Sequence, residues 1–377
     1  MRVLLDATAI PPDRGGVGRY IDELIPPLVR AGVDLVVAAQ ARDAERFGTA
    51  IGPGQVHAVH EQLERRPVRL AWEQAALPVL VRRLRADVLH SPHYTMPLAT
   101  GVPVVTTLHD ATFFSDPDVH LRSKGVFFRS ATRVAVRRAG ALVVPSAATR
   151  DEVQRYVGGA DEKYFVALHG VDRERFHPTS ALERERVSAS LGVRDGGFIA
   201  FLGTLEPRKN VPTLVRAWVD AVAGLADPPA LVLAGAKGWD ESIERALAEV
   251  PPGLKVVVPG YLPLDDLAGF LGAACVVAYP SLGEGFGLPV LEAMACGATV
   301  LTTRRLSLPE VGGHAVAYSD VTRESIALEL RALLADAATR AVLSAAALER
   351  AAEFTWDRAA HVHVEAYEHA RRGRRDR

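Results

Sequence analysis

Two carboxylates eight positions apart, Glu284 and Glu292, sit in a glycine-rich stretch that could bind an anion. It reads Gly283-Glu284-Gly285-Phe286-Gly287-Leu288-Pro289 and runs on into Leu291-Glu292-Ala293-Met294-Ala295-Cys296-Gly297. Three glycines before a helix start let backbone N–H groups approach an anion, and the helix dipole favours negative charge there. A carboxylate beside such a site has a different use, because it accepts hydrogen bonds from hydroxyls. A polyol held next to a phosphate is a nucleotide sugar, and that is the ligand these residue types predict. Pro289 suits the first turn of a helix and Gly297 the position just past its end. Residues 274–280 ahead and 298–303 behind read as buried strands, so the motif is carried on a strand, loop, helix, strand unit.

A second motif, Gly203-Thr204-Leu205-Glu206-Pro207-Arg208-Lys209-Asn210, follows a predicted strand, with Asn210 placed to cap the next helix. Arg208 offers a bidentate fork and Lys209 a point charge, a pair suited to clamping a diphosphate. Standing alone they would read as solvated loop charges. Sharing a predicted half and a sheet edge with the Glu284 loop turns them toward a ligand. Near the start, Asp13-Arg14-Gly15-Gly16-Val17-Gly18-Arg19-Tyr20 reads as a glycine loop between the first strand and the first helix. Its spacing is not G-x-G-x-x-G, and the second strand ends in Ala39-Gln40-Ala41 with no acid for a ribose. Gly15 and Gly16 therefore read as a close approach to a ligand held mainly elsewhere.

Two histidine segments, His90-Ser91-Pro92-His93-Tyr94 and Thr106-Thr107-Leu108-His109-Asp110, end strands at one edge. His109 is expected to reach the ligand cleft, with a purely structural role as the alternative. His90, His93 and His109 match no zinc spacing and bring no carboxylate, so no metal is expected.

The elements that must position these residues alternate. Residues 2–5, 34–39, 87–90, 102–107, 141–145 and 164–168 read as strands, with helices over 18–29, 71–85, 125–138 and 147–156 between them. A second series of strands covers 198–202, 230–234, 255–258, 274–279 and 299–303. Such alternation predicts an α/β fold of two Rossmann-like, doubly wound parallel-sheet domains with ligands in the cleft between them. The polar stretch 172–195 marks the boundary. The domains are placed at 1–180 and 181–354, with a terminal helix over 355–377 returning to the first.

With 377 residues the chain exceeds the size of a single core, and 49% hydrophobic with 24% charged residues is ordinary for a globular protein. A net charge of −1 argues against a nucleic-acid partner. No signal peptide or membrane-spanning run is visible, and Cys275 and Cys296, the only cysteines, read as buried free thiols, so a cytoplasmic location is expected. Residues 371–377 form a basic tail that reads as a solvated terminus.

Taken together, 283–297, 203–210, Gly15-Gly16 with Gly18-Arg19-Tyr20, the block Leu233-Ala234-Gly235-Ala236-Lys237-Gly238-Trp239 and the terminal Phe354-Thr355-Trp356 resemble the retaining glycosyltransferases of family 4. The resemblance covers nearly the whole chain and implies the GT-B fold. It implies that Glu284 contacts donor-sugar hydroxyls and Glu292 the nucleotide ribose, with Gly285, Phe286, Gly287 and Leu288 lining the same site. Lys209 and Arg208 would neutralise the diphosphate, Gly15 and Gly16 would approach the phosphates, His109 would lie beside the donor sugar, and Tyr261 and Leu262 would flank the base. Many relatives place arginine where this chain has Thr204, which leaves Arg208 as the second cation. Catalytic roles thus fall to His109, Lys209 and Glu284, with no metal and no cofactor.

No side chain in these motifs is an obvious nucleophile, so a same-face displacement fits better than a covalent intermediate. The wording of the motifs is similar to bacterial mannosyltransferases of polysaccharide biosynthesis, which implies GDP-mannose as donor, with UDP-glucose or another UDP- or dTDP-hexose as the alternative. An epimerase or hydrolase on the same fold would need catalytic carboxylates in the first half, where Asp110 is the candidate; a nucleotide-sugar sensor would not need Lys209 or His109. The acceptor is a hydroxyl of unknown identity. Residues 121–139, with Phe127 and Phe128 among Arg122, Lys124, Arg129, Arg133, Arg137 and Arg138, read either as a basic helix touching an anionic membrane, which would bring lipid-linked acceptors within reach, or as a solvated helix burying its aromatics.

Overall fold

The computed structural model describes residues 1–11 and 14–375. Asp13 of the glycine loop and the last two residues of the basic tail lie outside them. The chain forms two compact units, Met1–Gly170 with Thr355–Arg377, and Val171–Phe354.

The first unit is built on seven strands: β1 (Arg2–Asp6), β2 (Asp34–Gln40), β3 (Val56–Val59), β4 (Val88–Ser91), β5 (Val104–Thr107), β6 (Ala141–Val144) and β7 (Tyr164–Val166). Their order is β3-β2-β1-β4-β5-β6-β7, with every pairing parallel. Central strands such as Ala141–Val144 are buried at every position, as a sheet covered on both faces requires. Strand order reverses beside β1, where β4 pairs in the register Val3↔Val88 and Leu5↔His90.

The second unit has six: β8 (Phe198–Leu202), β9 (Ala230–Ala234), β10 (Val256–Gly260), β11 (Val276–Tyr279), β12 (Val300–Thr303) and β13 (Ala317–Ser319). Their order is β10-β9-β8-β11-β12-β13, again all parallel. The reversal falls between β8 and β11. In open α/β sheets the crevice outside the carboxyl ends at such a reversal is where ligands bind.

The helix Trp356–Arg375 belongs to the first unit and presents Trp356, Ala359, Ala360, His363, Ala366, Tyr367 and Ala370 to its core. That spacing is one helical face, and it packs on the helix Gly15–Arg30 and the sheet. Gly170 is required where this segment returns: a Cβ there would lie 2.2 Å from the Trp356 nitrogen.

Several local expectations need correction. The first helix starts at Gly15, so Gly15 and Gly16 are its first turn rather than a loop. The helix expected over 71–85 is two, Arg66–Ala75 and Leu77–Arg83, broken where Pro78 can donate no backbone bond. β3 and β13 are short and lie at sheet edges, too brief for a periodic pattern to reveal them. The units divide at Gly170–Val171 rather than at 180. Val171 N donates to Phe354 O, and Phe176 and Val187 enter the second core, so the polar-looking stretch is part of that unit.

Candidate active site

Both donor-type motifs leave the carboxyl edge of the second sheet at its reversal point. The loop 203–210 follows β8 and the loop 283–287 follows β11, two strands that pair side by side. β8 is followed by a tight turn in which Pro207–Lys209 form one helical turn and Asn210 takes a left-handed φ of 59°. Asn210 does not cap the next helix with its side chain. Its Nδ2 donates instead to Val321 O at 2.9 Å, which ties the loop to the chain after β13.

This turn lays Lys209 across the Tyr279 ring, 4.9 Å from its centre, and brings its Nζ to Tyr279 OH and, at 2.7 Å, to Glu284 Oε1. Arg208 bonds the other carboxylate oxygen, the Gly283 carbonyl at 2.7 Å and Glu206 Oε1 at 2.7 Å. Ser281 Oγ donates to Glu284 Oε1 at 2.6 Å and Tyr279 OH to the same oxygen at 3.0 Å. From below, Ser307 Oγ holds the Glu284 and Phe286 carbonyls at 2.8 and 2.9 Å. Lys209 and Glu284 are each 7% exposed.

Burial alone would push the Glu284 carboxyl up, but Arg208, Lys209 and the bonds from Lys209 and Ser281 outweigh it and bring it down to about 2. Glu284 is therefore a carboxylate at any ordinary pH. Lys209 is pulled below its usual value, first by burial and then by the charge of Arg208, against the opposing pull of Glu284 and Glu206. The result is a buried ionic cluster in which two cations share two carboxylates, a preorganised positive edge next to a hydroxyl acceptor.

Gly287 has φ 107° and ends the loop at the helix Leu288–Ala295, with Pro289 in the first turn and Gly297, φ 72°, past the end. Glu292 lies on that helix at 2% exposure, so both carboxylates of the motif are buried in one unit. Phe286 is buried edge-on to Phe354, and Gly285 and Leu288 complete the loop. Tyr261, after β10, is 71% exposed on the same sheet edge, with Leu262 packed beneath against the core. Gly235 and Gly238 keep this edge open: a Cβ at either would lie within 2.0 Å of the carbonyl of Gly203 or Leu205. Tyr279, Ser281 and Ser307 are partners that motif reading missed. Tyr279 and Ser281 stand at the carboxyl end of β11, the one signal that pointed to them.

In the first unit, His109 Nε2 bonds the Pro92 carbonyl at 2.7 Å, and its ring stands edge-on to Tyr20 at 5.1 Å. Burial lowers its pKa although Pro92 and Asp110 oppose the shift. His90 is sealed in the core, bonded to Thr107 Oγ1 and Tyr367 OH, both at 2.9 Å. His93 lies near His109, ring centres 5.9 Å apart, and Gly15 and Gly16 have nothing among the described residues within 4 Å of where a Cβ would stand. Both cysteines carry free thiols held protonated by burial, Cys275 pushed up to about 11 and Cys296 to about 12.

Comparison with known proteins extends over the whole chain. The family described as Glycosyltransferase Family 4 matches residues 14–175, and that described as Glycosyl transferases group 1 matches residues 183–350. The chain is 28% identical over 305 residues to the O-antigen chain mannosyltransferase B of Escherichia coli, covering 80% of this chain and 77% of that protein. It is 32% identical over 400 residues to the D-inositol 3-phosphate glycosyltransferase of Saccharomonospora viridis, covering 95% of this chain and 90% of that protein. Among solved structures, Anabaena HepE in complex with UDP and glucose aligns with a TM-score of 0.76 at 20% identity, over 97% of this chain and 98% of that one. With two parallel doubly wound sheets and matches of this breadth, the chain belongs to the family 4 glycosyltransferases of GT-B fold.

Proposed function

We propose that this glycosyltransferase moves a hexose, mannose from GDP-mannose, onto an acceptor hydroxyl with retention of configuration and without a metal. The observation that carries this reading is the buried cluster of Lys209, Arg208 and Glu284 at the reversal of the second sheet. The two cations take the diphosphate, Lys209 as a point charge and Arg208 as a fork, and they stabilise the charge that grows on it as the bond to the sugar breaks. Glu284, kept ionised, accepts hydroxyls of the donor sugar, and Glu292 takes the ribose. The N-terminus of the helix Leu288–Ala295, led by Gly285, Phe286 and Gly287, adds amide donors for a phosphate. Tyr261 and Leu262 border the base, and Gly15, Gly16 and His109 carry the roles that the family resemblance gives them. The departing phosphate receives the proton of the attacking hydroxyl, so the new bond forms on the face the old one leaves.

Mannose as the sugar is supported by the E. coli mannosyltransferase relative. UDP-glucose is the competing donor. An epimerase or hydrolase reading is disfavoured because its candidate carboxylate, Asp110, is occupied as a turn cap, its Oδ1 accepting from Thr112 N at 3.1 Å and Thr112 Oγ1 at 2.9 Å.

Thermal denaturation with GDP, UDP and dTDP tests the donor, since the correct nucleotide stabilises the protein in proportion to its affinity. GDP is expected to raise the midpoint most; a larger shift with UDP overturns the assignment. The anomeric configuration of the product, read by NMR, tests retention, and full activity in chelator tests metal independence.

No helix among the described residues is long and apolar enough to cross a membrane. Contact with a membrane surface is proposed instead for the helix Arg122–Arg138. There the two aromatics part: Phe128 stacks on Phe113 at 4.7 Å, whereas Phe127 is 40% exposed together with Leu121 and Val126, beside Arg122 and Lys124. Flotation with anionic vesicles, lost in Phe127→Ala, is the expected result.

A further inference from the structure

The first unit contains a cavity of about 690 Å³ at the carboxyl ends of its central strands, reached by Thr8 after β1, Gln40 at the end of β2 and Thr95 after β4. This volume lies within the range of roughly 300–1,000 Å³ typical of small-molecule sites. Its apolar lining includes Ile10, Val17, Leu63, Leu70, Phe127 and Phe128. Its charged lining is mostly cationic, with Arg14, Arg42, Arg66, Arg69 and Lys124 against Glu64 as the one lining carboxylate among the described residues.

Asp22 and Asp43, which hold Arg14, and Glu73, which holds Arg69, lie outside the lining, whereas Arg42 pairs with Glu64 within it. Arg14 bonds Asp22 and Asp43, and Arg69 bonds Glu73 at 3.0 Å while its other nitrogen reaches Thr95 at 3.1 Å. Arg66, exposed at the mouth, pairs with no carboxylate among the described residues. His93, also in the wall, is brought down to about 3 by burial first, and then by the positive charge of His109, Arg69 and Arg66. Two buried polar atoms of wall residues, Gln40 Oε1 and His93 Nδ1, have no hydrogen-bond partner among the described residues. Such orphans cost free energy until a ligand group bonds to them.

We infer that this cavity takes the glycosyl acceptor, and that the acceptor is a sugar carrying a phosphate. The inference rests on the glycosyltransferase reading and names the class of its second substrate. The phosphate meets the row of cations, Arg66 and Lys124 at its outer end. Sugar hydroxyls, which both donate and accept, meet Gln40 Oε1 and His93 Nδ1. The sugar's C–H face, or a lipid tail, lies on Phe127 and Leu70. A soluble sugar phosphate and a sugar on a polyprenyl diphosphate share this chemistry.

Calorimetric titration of the full chain without nucleotide tests it, using a hexose phosphate, the same free hexose, inorganic phosphate and a short-chain polyprenyl-diphosphate sugar. At least one phosphorylated sugar is expected to bind tenfold or more tighter than the free hexose and tighter than inorganic phosphate, with affinity falling as salt rises. Which of the two binds better names the source. Arg66→Glu with Lys124→Glu is expected to erase the preference while leaving the thermal shift with GDP unchanged. Free hexose binding as tightly as its phosphate, or a double variant that keeps the preference, overturns the inference. Failure of the donor reading would show separately, as no stabilisation by any nucleotide.

Discussion

The carboxyl edges of the two sheets are held together by opposite chemistry. In the second unit Glu206, Arg208, Lys209 and Glu284 are paired with one another under a tyrosine and two serines. In the first, Tyr20, His90, His109, His169, His363 and Tyr367 form a buried ring cluster kept neutral. Tyr20 OH links Thr107 at 3.0 Å to His363 Nε2 at 2.6 Å, and His169 stacks on Trp356 at 5.3 Å. A charged edge is suited to a ligand that brings charge of its own. A neutral one linked by hydrogen bonds and ring contacts suits a rigid support, and the first unit has cations around its cavity. Similar sheets therefore carry different tasks through the residues at their strand ends.

The sharpest way to break this contrast is Glu284→Gln. It leaves two cations buried with one fewer carboxylate, and a loss of about 3–5 kcal/mol is expected in the unfolding of the second unit. Urea denaturation followed at Trp218, which is buried there, measures it. A loss below 1 kcal/mol would mean the cluster is not coupled as its geometry indicates.

Lys209→Ala is expected to lower turnover by about 10²–10³-fold, the scale of removing one preorganised donor, while circular dichroism stays native. Rates within tenfold of the parent protein would take Lys209 out of the chemistry.

Acid separates the two units. His363 is lowered to about 4, chiefly by burial, and His93 to about 3, so between pH 6.5 and those values the unfolded chain binds protons that the folded unit does not. Stability is then full above pH 6.5 and drains away as pH falls, with His363 alone accounting for on the order of 3 kcal/mol. Glu284, depressed to about 2, keeps its contribution above the usual carboxylate range and loses it only as pH falls toward 2. Variants retaining only Trp356 or only Trp218 should report loss of the first unit at the higher pH. Coincident transitions would contradict the contrast.

Tyr20→Phe removes two hydrogen bonds and leaves His363 and Thr107 short of a partner; about 1–3 kcal/mol is expected, seen as a lowered melting midpoint. Smallest is Phe127→Ala, about 0.5 kcal/mol or less because the ring is exposed, whereas Phe128→Ala in the aromatic stack costs several times more.

Much of the second unit was legible because its chemistry is local in sequence. β8 and β9 begin and end where their apolar runs do, and Pro289 and Gly297 bracket their helix as their backbone preferences dictate. The pairing of Arg208 and Lys209 with Glu284 was not legible. It depends on two loops brought together across neighbouring strands, more than 70 residues apart in the chain. The histidine cluster was hidden more deeply still, since Tyr20 and His363 are separated by 343 positions. His90 ends a strand at the edge where His109 was expected to reach a ligand, and its contact with Tyr367 shows it as core. Short edge strands and the helix break at Pro78 escaped for the ordinary reason that four residues carry no period.

The return of the helix Trp356–Arg375 has a consequence for how the protein comes into being. Domains ordinarily fold in the order in which the ribosome releases them. Here Trp356, His363 and Tyr367 complete the core of the first unit, yet they emerge after every residue of the second. The nascent first unit must wait, with Tyr20 and His90 uncovered, while its neighbour is synthesised and folds. The part that begins first finishes last, and that interval is when the chain is most open to proteases and chaperones.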